Sequence, residues 1–213
     1  MAFERNIGDT ILSVQGICLS FGGVTALDDV SFEVKQGEIR AIIGPNGAGK
    51  SSMLNCINGF YNPRDGQITF KGQTRNNMKT HEAAKQGIAR TFQNIALFDG
   101  MATLDNIMTG RNLKMKKKLF WQALYFGPAR KEEMEHREIV EKMINFLEIE
   151  AIRKVRVGQL PYGLQKRVEL ARALVSEPDL LLLEEPMAGT VSYTHVRAHE
   201  TDSYLVCRLL LEK

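Results

Sequence analysis

The hydrophobic pattern at the amino-terminal side of the chain is that of strands. Apolar residues alternate with polar ones over residues 11–19, continue through 24–35, and form shorter runs at 38–43 and 67–70. A period of two is typical of strands with one buried face, and short apolar runs between turn residues also favour strands. This part of the chain therefore predicts a strand-rich core.

From about residue 95 the apolar residues recur every three or four positions, which predicts helices at 104–108, 119–126 and 132–147. In the longest of these, one apolar stripe indicates a buried face; it comprises Met134, Ile139, Val140, Met143, Ile144 and Leu147. We interpret this stretch as a helical subdomain inserted into the core.

The core pattern returns near the carboxyl-terminal side. Residues 167–175 have helical spacing, and residues 179–183 are a run of leucines after an aspartate, which predicts a buried strand. That strand ends in Glu184 and Glu185.

The strongest local motif lies between the predicted strand at 38–43 and a predicted helix at 52–58 that Gly59 ends. Residues 44–51 fit the phosphate-loop pattern G-x-x-x-x-G-K-[ST]. Glycines let backbone N–H groups curl around phosphate oxygens, and the helix directs its positive end at the same charge. An ordinary glycine-rich turn is the alternative. We predict nucleotide binding by Gly44, Pro45, Asn46, Gly47, Ala48, Gly49, Lys50, Ser51 and Ser52.

Within this motif, we expect the Lys50 ammonium to reach the terminal phosphates, so that Lys50 both binds the nucleotide and contributes to catalysis. The Ser51 hydroxyl is expected to hold Mg²⁺. The carboxylates that follow the leucine run supply the remaining chemistry, because ligands bind at the carboxyl ends of parallel strands. We assign Glu184 to the metal and Glu185 to the water that attacks the γ phosphate. The alternative is a solvated strand end closed by Pro186. A nucleoside triphosphate and Mg²⁺ are thus the expected ligands.

Composition narrows the class of protein. The chain of 213 residues is 44% hydrophobic and 25% charged, and its apolar runs fall short of the ~18 residues that a membrane span needs. The amino end lacks an apolar signal core, so we expect a cytosolic location. Cys18, Cys56 and Cys207 are scattered and predict neither a disulfide nor a zinc site. A net charge of +3 does not favour nucleic acid as a partner.

Four motifs in order resemble the ATP-binding subunit of an ABC transporter. They are the phosphate loop, the stretch 89–93 ending in Gln93, the stretch 160–167 beginning L-P-Y-G, and residues 180–186. The L-P-Y-G variant is similar to the LivG-type ATPases of branched-chain amino-acid importers. The resemblance covers about residues 10–189. It implies an α/β fold with a phosphate-loop NTPase core, a mixed sheet with an antiparallel strand-rich part, and an inserted helical subdomain.

The resemblance also implies roles for residues outside the phosphate loop. Phe21 stacks on adenine, Gln93 touches Mg²⁺ or the attacking water and is catalytic, and Gly163 begins a helix at 164 that caps the γ phosphate held by the opposite subunit. The alternatives are a core phenylalanine, an exposed loop amide and a helix start that binds nothing.

The implied partners are a second ATPase subunit, identical or different, with two ATP molecules between the pair, and permease subunits in the membrane. A solute-binding protein acts indirectly, and the expected location is the cytoplasmic face of the membrane. The implied domains are a nucleotide-binding core at 10–93, a helical subdomain at 94–160, and the signature helix with the carboxylate strand at 161–189.

The sequence departs from the family at three places. Pro161 and Leu164 replace the usual signature serine and glutamine, and Glu184 stands where aspartate is normal. Residues 190–213 lack the family's next helix and switch-histidine strand, so we expect the carboxyl-terminal part of the core to be missing. We hypothesise that this tail is foreign sequence joined to a truncated frame. His195 and His199 are four apart, but no third ligand supports zinc.

Two other functions stay open at this stage. The chain is an ATP-binding module without efficient hydrolysis, or it is a soluble ABC ATPase that acts on ribosomes or DNA. The second usually needs two fused cores or a long coiled coil, which 213 residues do not accommodate.

Overall fold

The computed structural model describes residues 7–75, 78–92, 95–115, 128–184 and 205–208, with the side chains at 128–131 and 205–208 not included. The chain forms two compact units. The first contains the residues up to Arg90 together with two strands from the carboxyl-terminal part, and the second contains residues 91–178.

The first unit is built mainly of strands. In chain order it contains β1 (Thr10–Phe21), β2 (Val24–Lys35), β3 (Ile39–Ile42), α1 (Lys50–Ile57), β4 (Asp65–Phe70), β5 (Gln73–Arg75), α2 (Thr80–Lys85), β6 (Ile88–Arg90), β7 (Leu180–Glu184) and β8 (Leu205–Arg208). The antiparallel sheet has the order β2-β1-β4-β5, and the second sheet has the order β3-β8-β7-β6. The predicted α/β class with an antiparallel strand-rich part is thus confirmed.

A bulge in β1 explains why its apolar alternation changes phase. Val14 and Ile17 are both buried although they are three residues apart, and the pairing with β2 shifts between them. Gly16 lies in this shift with a φ of 60°. An extra residue at a bulge returns the next apolar side chains to the same face, so Ile17 rejoins the core.

The second sheet brings the ends of three strands to one edge. β6 pairs in parallel with β7, and β8 runs antiparallel to both β7 and β3. Because β3 and β7 each oppose the direction of β8, β3, β6 and β7 all run the same way. Their carboxyl ends therefore share an edge, which is where α/β sheets bind ligands.

The core of the first unit joins both sheets to the helix that follows β3. Residues of β1 and β4 pack with α1 and with Leu180 and Leu182 of β7 in one buried cluster. All five residues of β7 are buried, as expected of a strand covered on both faces. The leucine run thus folds as the sequence predicts, with bounds shifted by one residue from 179–183.

The second unit is helical. It contains α3 (Thr103–Thr109), α4 (Pro128–Phe146) and α5 (Tyr162–Leu174), with single 3-10 turns at Glu150–Ile152 and Val157–Gln159. Its core holds Ile107 of α3, Val140 and Ile144 of α4, and Val168 and Ala171 of α5. The helices predicted at 104–108, 132–147 and 167–175 are therefore present, and the one predicted at 119–126 falls outside the described residues.

The helix starts differ from the predicted ones because prolines set them. α4 begins at Pro128 and α5 follows Pro161, four and five residues before the apolar periodicity starts. Proline suits these places because its ring fixes φ and the missing N–H is not needed there. The predicted stretch 161–189 contributes α5 to the second unit and β7 to the first, and the domain bounds remain a prediction.

The close approach of Gly66 to β1 gives a test of this packing. A Cβ at Gly66 would lie 2.3 Å from the carbonyl oxygen of Gly16, and its φ is 91°. We expect Gly66→Ala to lower the free energy of unfolding by about 2–4 kcal/mol, because backbone strain adds to a steric clash. Gly72 also has positive φ, but a Cβ there meets nothing within 4 Å. Gly72→Ala should therefore cost only about 1 kcal/mol in urea unfolding; equal losses would contradict this packing.

The buried thiol of Cys56 on α1 predicts a pH dependence. Desolvation by burial raises its pKa from the usual 9.0 to about 11. Because the folded state holds the proton more tightly, this stabilisation is complete below pH 9 and is lost as pH rises to 11. We expect a loss of about 2–3 kcal/mol between these pH values, given 1.36 kcal/mol for each pKa unit. The measurement is urea unfolding of the native chain minus that of Cys56→Ala; a difference that does not change with pH would contradict the prediction.

Candidate functional site

The loop from β3 to α1 has the curled backbone that the phosphate-loop pattern predicts. Gly47 and Gly49 have φ values of 85° and 80°, and Gly49 directly precedes α1. Such left-handed angles are costly for residues with a Cβ. The Ala48 N–H donates to the Pro45 carbonyl oxygen at 3.2 Å, which closes a turn within the loop. The sequence thus places glycine where the loop reverses direction.

Gly49 is required by space as well as by angle. A Cβ at this position would lie 2.4 Å from the carbonyl oxygen of Ala26 and 2.9 Å from Cδ2 of Leu27, both on β2. At Gly47, in contrast, a Cβ would meet nothing within 4 Å. The loop is therefore packed against β2 at its end and open at its middle.

Lys50 places a positive charge within the loop. Its side chain is buried, and Nζ donates to the carbonyl oxygens of Gly44 at 2.5 Å and Pro45 at 2.8 Å. A buried ammonium held by carbonyl dipoles is suited to an anion. The charge, the left-handed glycines and the open middle of the loop fit a phosphate group. Ser51 is exposed and Ser52 is half-buried at the start of α1.

The sheet register brings Glu184 level with the start of this loop. Ile42, which ends β3, and Glu184, which ends β7, both lie opposite Leu205 of β8. With one strand between them, their Cα atoms are about 10 Å apart. Hence the predicted metal carboxylate and the phosphate loop occupy the same edge of the sheet, although 134 positions separate Lys50 from Glu184 (184 − 50).

Glu184 is engaged in a buried ion pair. Its Oε2 accepts a hydrogen bond from Nη2 of Arg90 at 3.0 Å, and the two side chains are only 6% and 5% exposed. Nη1 of Arg90 donates to Oδ1 of Asn55 on α1 at 2.5 Å. The sequence predicted neither the contact of Arg90 with Glu184 nor its contact with Asn55, because Arg90 was considered only as part of the motif that ends in Gln93.

Phe21 lies on the surface rather than in the core. The residue is 45% exposed at the end of β1, and its ring packs against that of Tyr61 at an interplanar angle of 69°, with centroids 4.9 Å apart. Phe21 pairs with Val24 at the start of β2, the strand that also contacts Gly49. The alternative of a core phenylalanine is thus not what the structure shows, and an exposed ring agrees with stacking on a base. Tyr61 was missed, because no motif covers it.

Gly163 lies in the first turn of α5, not before it as predicted. The helix begins at Tyr162, since the Pro161 carbonyl accepts from the N–H groups of Leu164 at 2.9 Å and Gln165 at 3.1 Å. The backbone around Gly163 therefore belongs to the positive end of a helix.

Two buried side chains of α5 hold the chain at Phe92. Lys166 Nζ donates to the Phe92 carbonyl at 2.5 Å, and the Phe92 N–H donates to Glu169 at 3.2 Å. Lys166 and Glu169 also pair with each other at 3.1 Å. The segment that leads into Gln93 is thus attached to the helix that carries Gly163.

Two predicted site residues, Gln93 and Glu185, lie outside the described residues, and their assignments stay predictions. His195 and His199, for which the sequence supports no metal site, also lie outside them. Within the described ranges, no group of three or more His, Cys, Asp or Glu side chains is placed to hold a metal ion. In the same part of the chain, no helix is long and apolar enough to cross a bilayer.

The sequence of the chain matches a family of transport proteins. The family model described as "ABC transporter" matches residues 27–188. The chain is 35% identical over 180 residues to the high-affinity branched-chain amino acid transport ATP-binding protein BraF of Pseudomonas aeruginosa, and 34% identical over 179 residues to LivG of Escherichia coli K12. Each alignment covers 84% of this chain and 70% of the relative.

Solved structures agree with the sequence matches. The fold superposes with a TM-score of 0.71 on the ADP conformation of MJ1267, an ATP-binding cassette of an ABC transporter. That match is 34% identical and covers 85% of this chain and 71% of the other. A nucleotide-free ATP-binding cassette from an ABC transporter matches with a TM-score of 0.67 and 31% identity, covering 84% and 70% of the two chains.

The space around Gly49 provides a test of the loop geometry. We expect Gly49→Ala to lower the free energy of unfolding by about 2–4 kcal/mol, because the new methyl group meets Ala26 and Leu27 in addition to the backbone cost. The matched control is Gly47→Ala, which has nearly the same φ and no neighbour, and which should cost about 1–2 kcal/mol. Urea unfolding measures both. A Gly49 variant no less stable than the Gly47 variant would show that the loop is not packed on β2 in this way.

Proposed function

Because the chain belongs to the ABC transporter family, we propose that it is the ATP-binding and ATP-hydrolysing subunit of an importer that drives a separate membrane permease. The observation that carries the proposal is the loop between β3 and α1. Its left-handed glycines and the ammonium of Lys50, which lies against the loop carbonyls, form a site for a triphosphate.

The residues of the loop bind and orient the nucleotide. Backbone N–H groups of the loop and of the first residues of α1 donate to phosphate oxygens, except at Pro45, which has none, and Lys50 turns from the loop carbonyls to the terminal phosphates. Phe21 contributes an exposed aromatic side chain for the adenine, and its contact with the ring of Tyr61 supports it from one side. In this arrangement the loop and Lys50 hold the phosphates by electrostatic attraction, and Phe21 holds the adenine by stacking on its face.

Mg²⁺ would be held by Ser51 and Glu184, with Gln93, and when bound it neutralises charge on the terminal phosphates. The hydroxyl and carboxylate oxygens of these residues are ligands that magnesium prefers. Glu185, which follows β7, accepts the proton of the attacking water in our proposal. Gly163 at the start of α5 caps the nucleotide held by a second copy or a related subunit.

The branched-chain amino acids are the proposed cargo class, supported by the names of BraF and LivG. We place the subunit at the cytoplasmic face of the membrane, bound to permease subunits through the helical unit and acting with a separate solute-binding protein. The domain bounds at 93 and 160 and the foreign origin of residues 190–213 belong to the same proposal.

Two alternatives to the proposed function predict different experimental results. An ATP-binding module without efficient hydrolysis would bind ATP and leave it intact. A soluble ABC ATPase acting on ribosomes or DNA would not associate with the permease. Titration calorimetry with MgATP tests the shared claim of binding, and absence of heat would overturn the proposed function.

The hydrolytic role is tested with Glu185→Gln. We expect ATP affinity to be retained while turnover falls by about 10²–10⁴-fold, because the amide cannot take the proton of the attacking water. Phosphate release and ATP binding are measured on the same preparations. Glu135→Gln, an exposed position on α4, is the control and should leave both unchanged. Binding without turnover in the unmodified chain would support the module, and unchanged turnover in Glu185→Gln would mean that another group is the base.

A further inference from the structure

Arg90 connects two elements of the nucleotide site through one guanidinium group. It is the last residue of β6, which lies parallel to and beside β7. Nη2 donates to Oε2 of Glu184 at the end of β7, and Nη1 donates to Oδ1 of Asn55 on α1. Asn55 belongs to the same helix that begins with Lys50 and Ser51.

Arg90 and Glu184 are both buried, and each supplies the other with a counter-charge. The Arg90 and Glu184 side chains are 5% and 6% exposed, and removing either one would take the counter-charge from a group that lies away from water. A buried ion pair by itself is weak support for stability, since an apolar pair would serve as well. Its position at the carboxyl ends of β6 and β7 points instead to a role in the site.

The chemistry of the guanidinium fits the task of holding two elements. Its planar fork offers several N–H donors at fixed angles, so one side chain can hold an amide and a carboxylate together. A lysine would keep the charge but present a single nitrogen. The length of Glu184 also matters, because an aspartate would withdraw the carboxylate by about 1.5 Å and take it out of reach of Arg90.

We propose that Arg90 is a positioning residue of the nucleotide site: by bridging Asn55 and Glu184 it fixes the carboxylate relative to the helix that carries Ser51, so that the Glu184 carboxylate and the Ser51 hydroxyl would be in place to hold a divalent cation. The inference rests on the proposed function. In this role Arg90 acts on the cation through the orientation of Glu184. Partners that orient metal ligands in this way typically affect metal affinity strongly.

The test separates metal binding from nucleotide binding and from stability. The affinity for ATPγS is measured by calorimetry in excess Mg²⁺ and in EDTA, for the full chain and its variants. The gain from Mg²⁺ is the ratio of the affinity in Mg²⁺ to that in EDTA. In Arg90→Lys we expect this gain to fall about tenfold, as is typical when a residue that orients a metal ligand is changed. The affinity in EDTA should stay the same, because the phosphate loop is untouched. Asn55→Ala removes only one arm of the bridge, and the gain should fall by about threefold, the effect of one hydrogen bond.

Arg75→Lys is the matched control. Arg75 is another partly buried arginine of this unit, and it also contacts α1, through the Ile57 carbonyl at 3.5 Å. Its conservative change should leave the Mg²⁺ gain unaltered whatever it does to the melting temperature. If Arg90→Lys does not fold, the Mg²⁺ gain of Asn55→Ala is the measurement that tests the positioning role.

The outcomes distinguish this inference from the proposed function. An unchanged Mg²⁺ gain in the folded Arg90 and Asn55 variants, or an equal loss in Arg75→Lys, would overturn the positioning role while leaving the proposed function intact. Failure of the unmodified chain to bind ATPγS under either condition would overturn both.

Discussion

The common direction of β3, β6 and β7 is the constraint on which the site depends. Because their carboxyl ends share one edge of the sheet, the phosphate loop, Arg90 and Glu184 lie together although they come from distant parts of the sequence. The register is as important as the direction, since a slip of one residue in β7 would turn Glu184 to the other face. The leucines of β7 are identical and buried on both faces, so they do not fix the register by themselves, whereas the ion pair of Glu184 with Arg90 favours the observed one.

Several buried charged groups of the described residues have defined polar partners. Lys50 is held by loop carbonyls, and Arg90 and Glu184 are held by each other. In the second unit, Lys166 and Glu169 pair while both also bind the backbone of Phe92. Each such set costs desolvation, and each lies beside a segment with a proposed role in nucleotide binding. The charges therefore specify the positions of loops and strand ends, whereas burial of leucine, isoleucine and valine supplies most of the stability.

What the sequence could predict depends on how local the cause of each feature is. The phosphate loop and the start of α1 follow from glycines, a lysine and flanking apolar residues within a short stretch, so the pattern was sufficient. β7 was predictable because a short, continuous leucine run between turn residues fits a strand buried on both faces. β6 was not predicted, since a strand of three residues is too short to show a period.

The contacts of Arg90 lay beyond sequence reasoning for a related reason. They join residues 55, 90 and 184, and only the parallel pairing of β6 with β7 and the packing of α1 bring these together. Nothing in the residues around Arg90 distinguishes it from a solvated arginine at a strand end. The start of α5 differs on a smaller scale: the resemblance implied a helix from residue 164 with Gly163 before it, whereas the helix begins at Tyr162, directly after Pro161.

The strand between β3 and β7 shows how backbone geometry supports the site independently of side chains. β8 pairs with both neighbours through residues 205–208, which belong to the tail that we propose is foreign to the family. Strand pairing uses main-chain N–H and C=O groups, which almost every residue supplies, so a segment with little sequence resemblance can complete the ladder. The separation of Ile42 and Glu184 is set by that ladder.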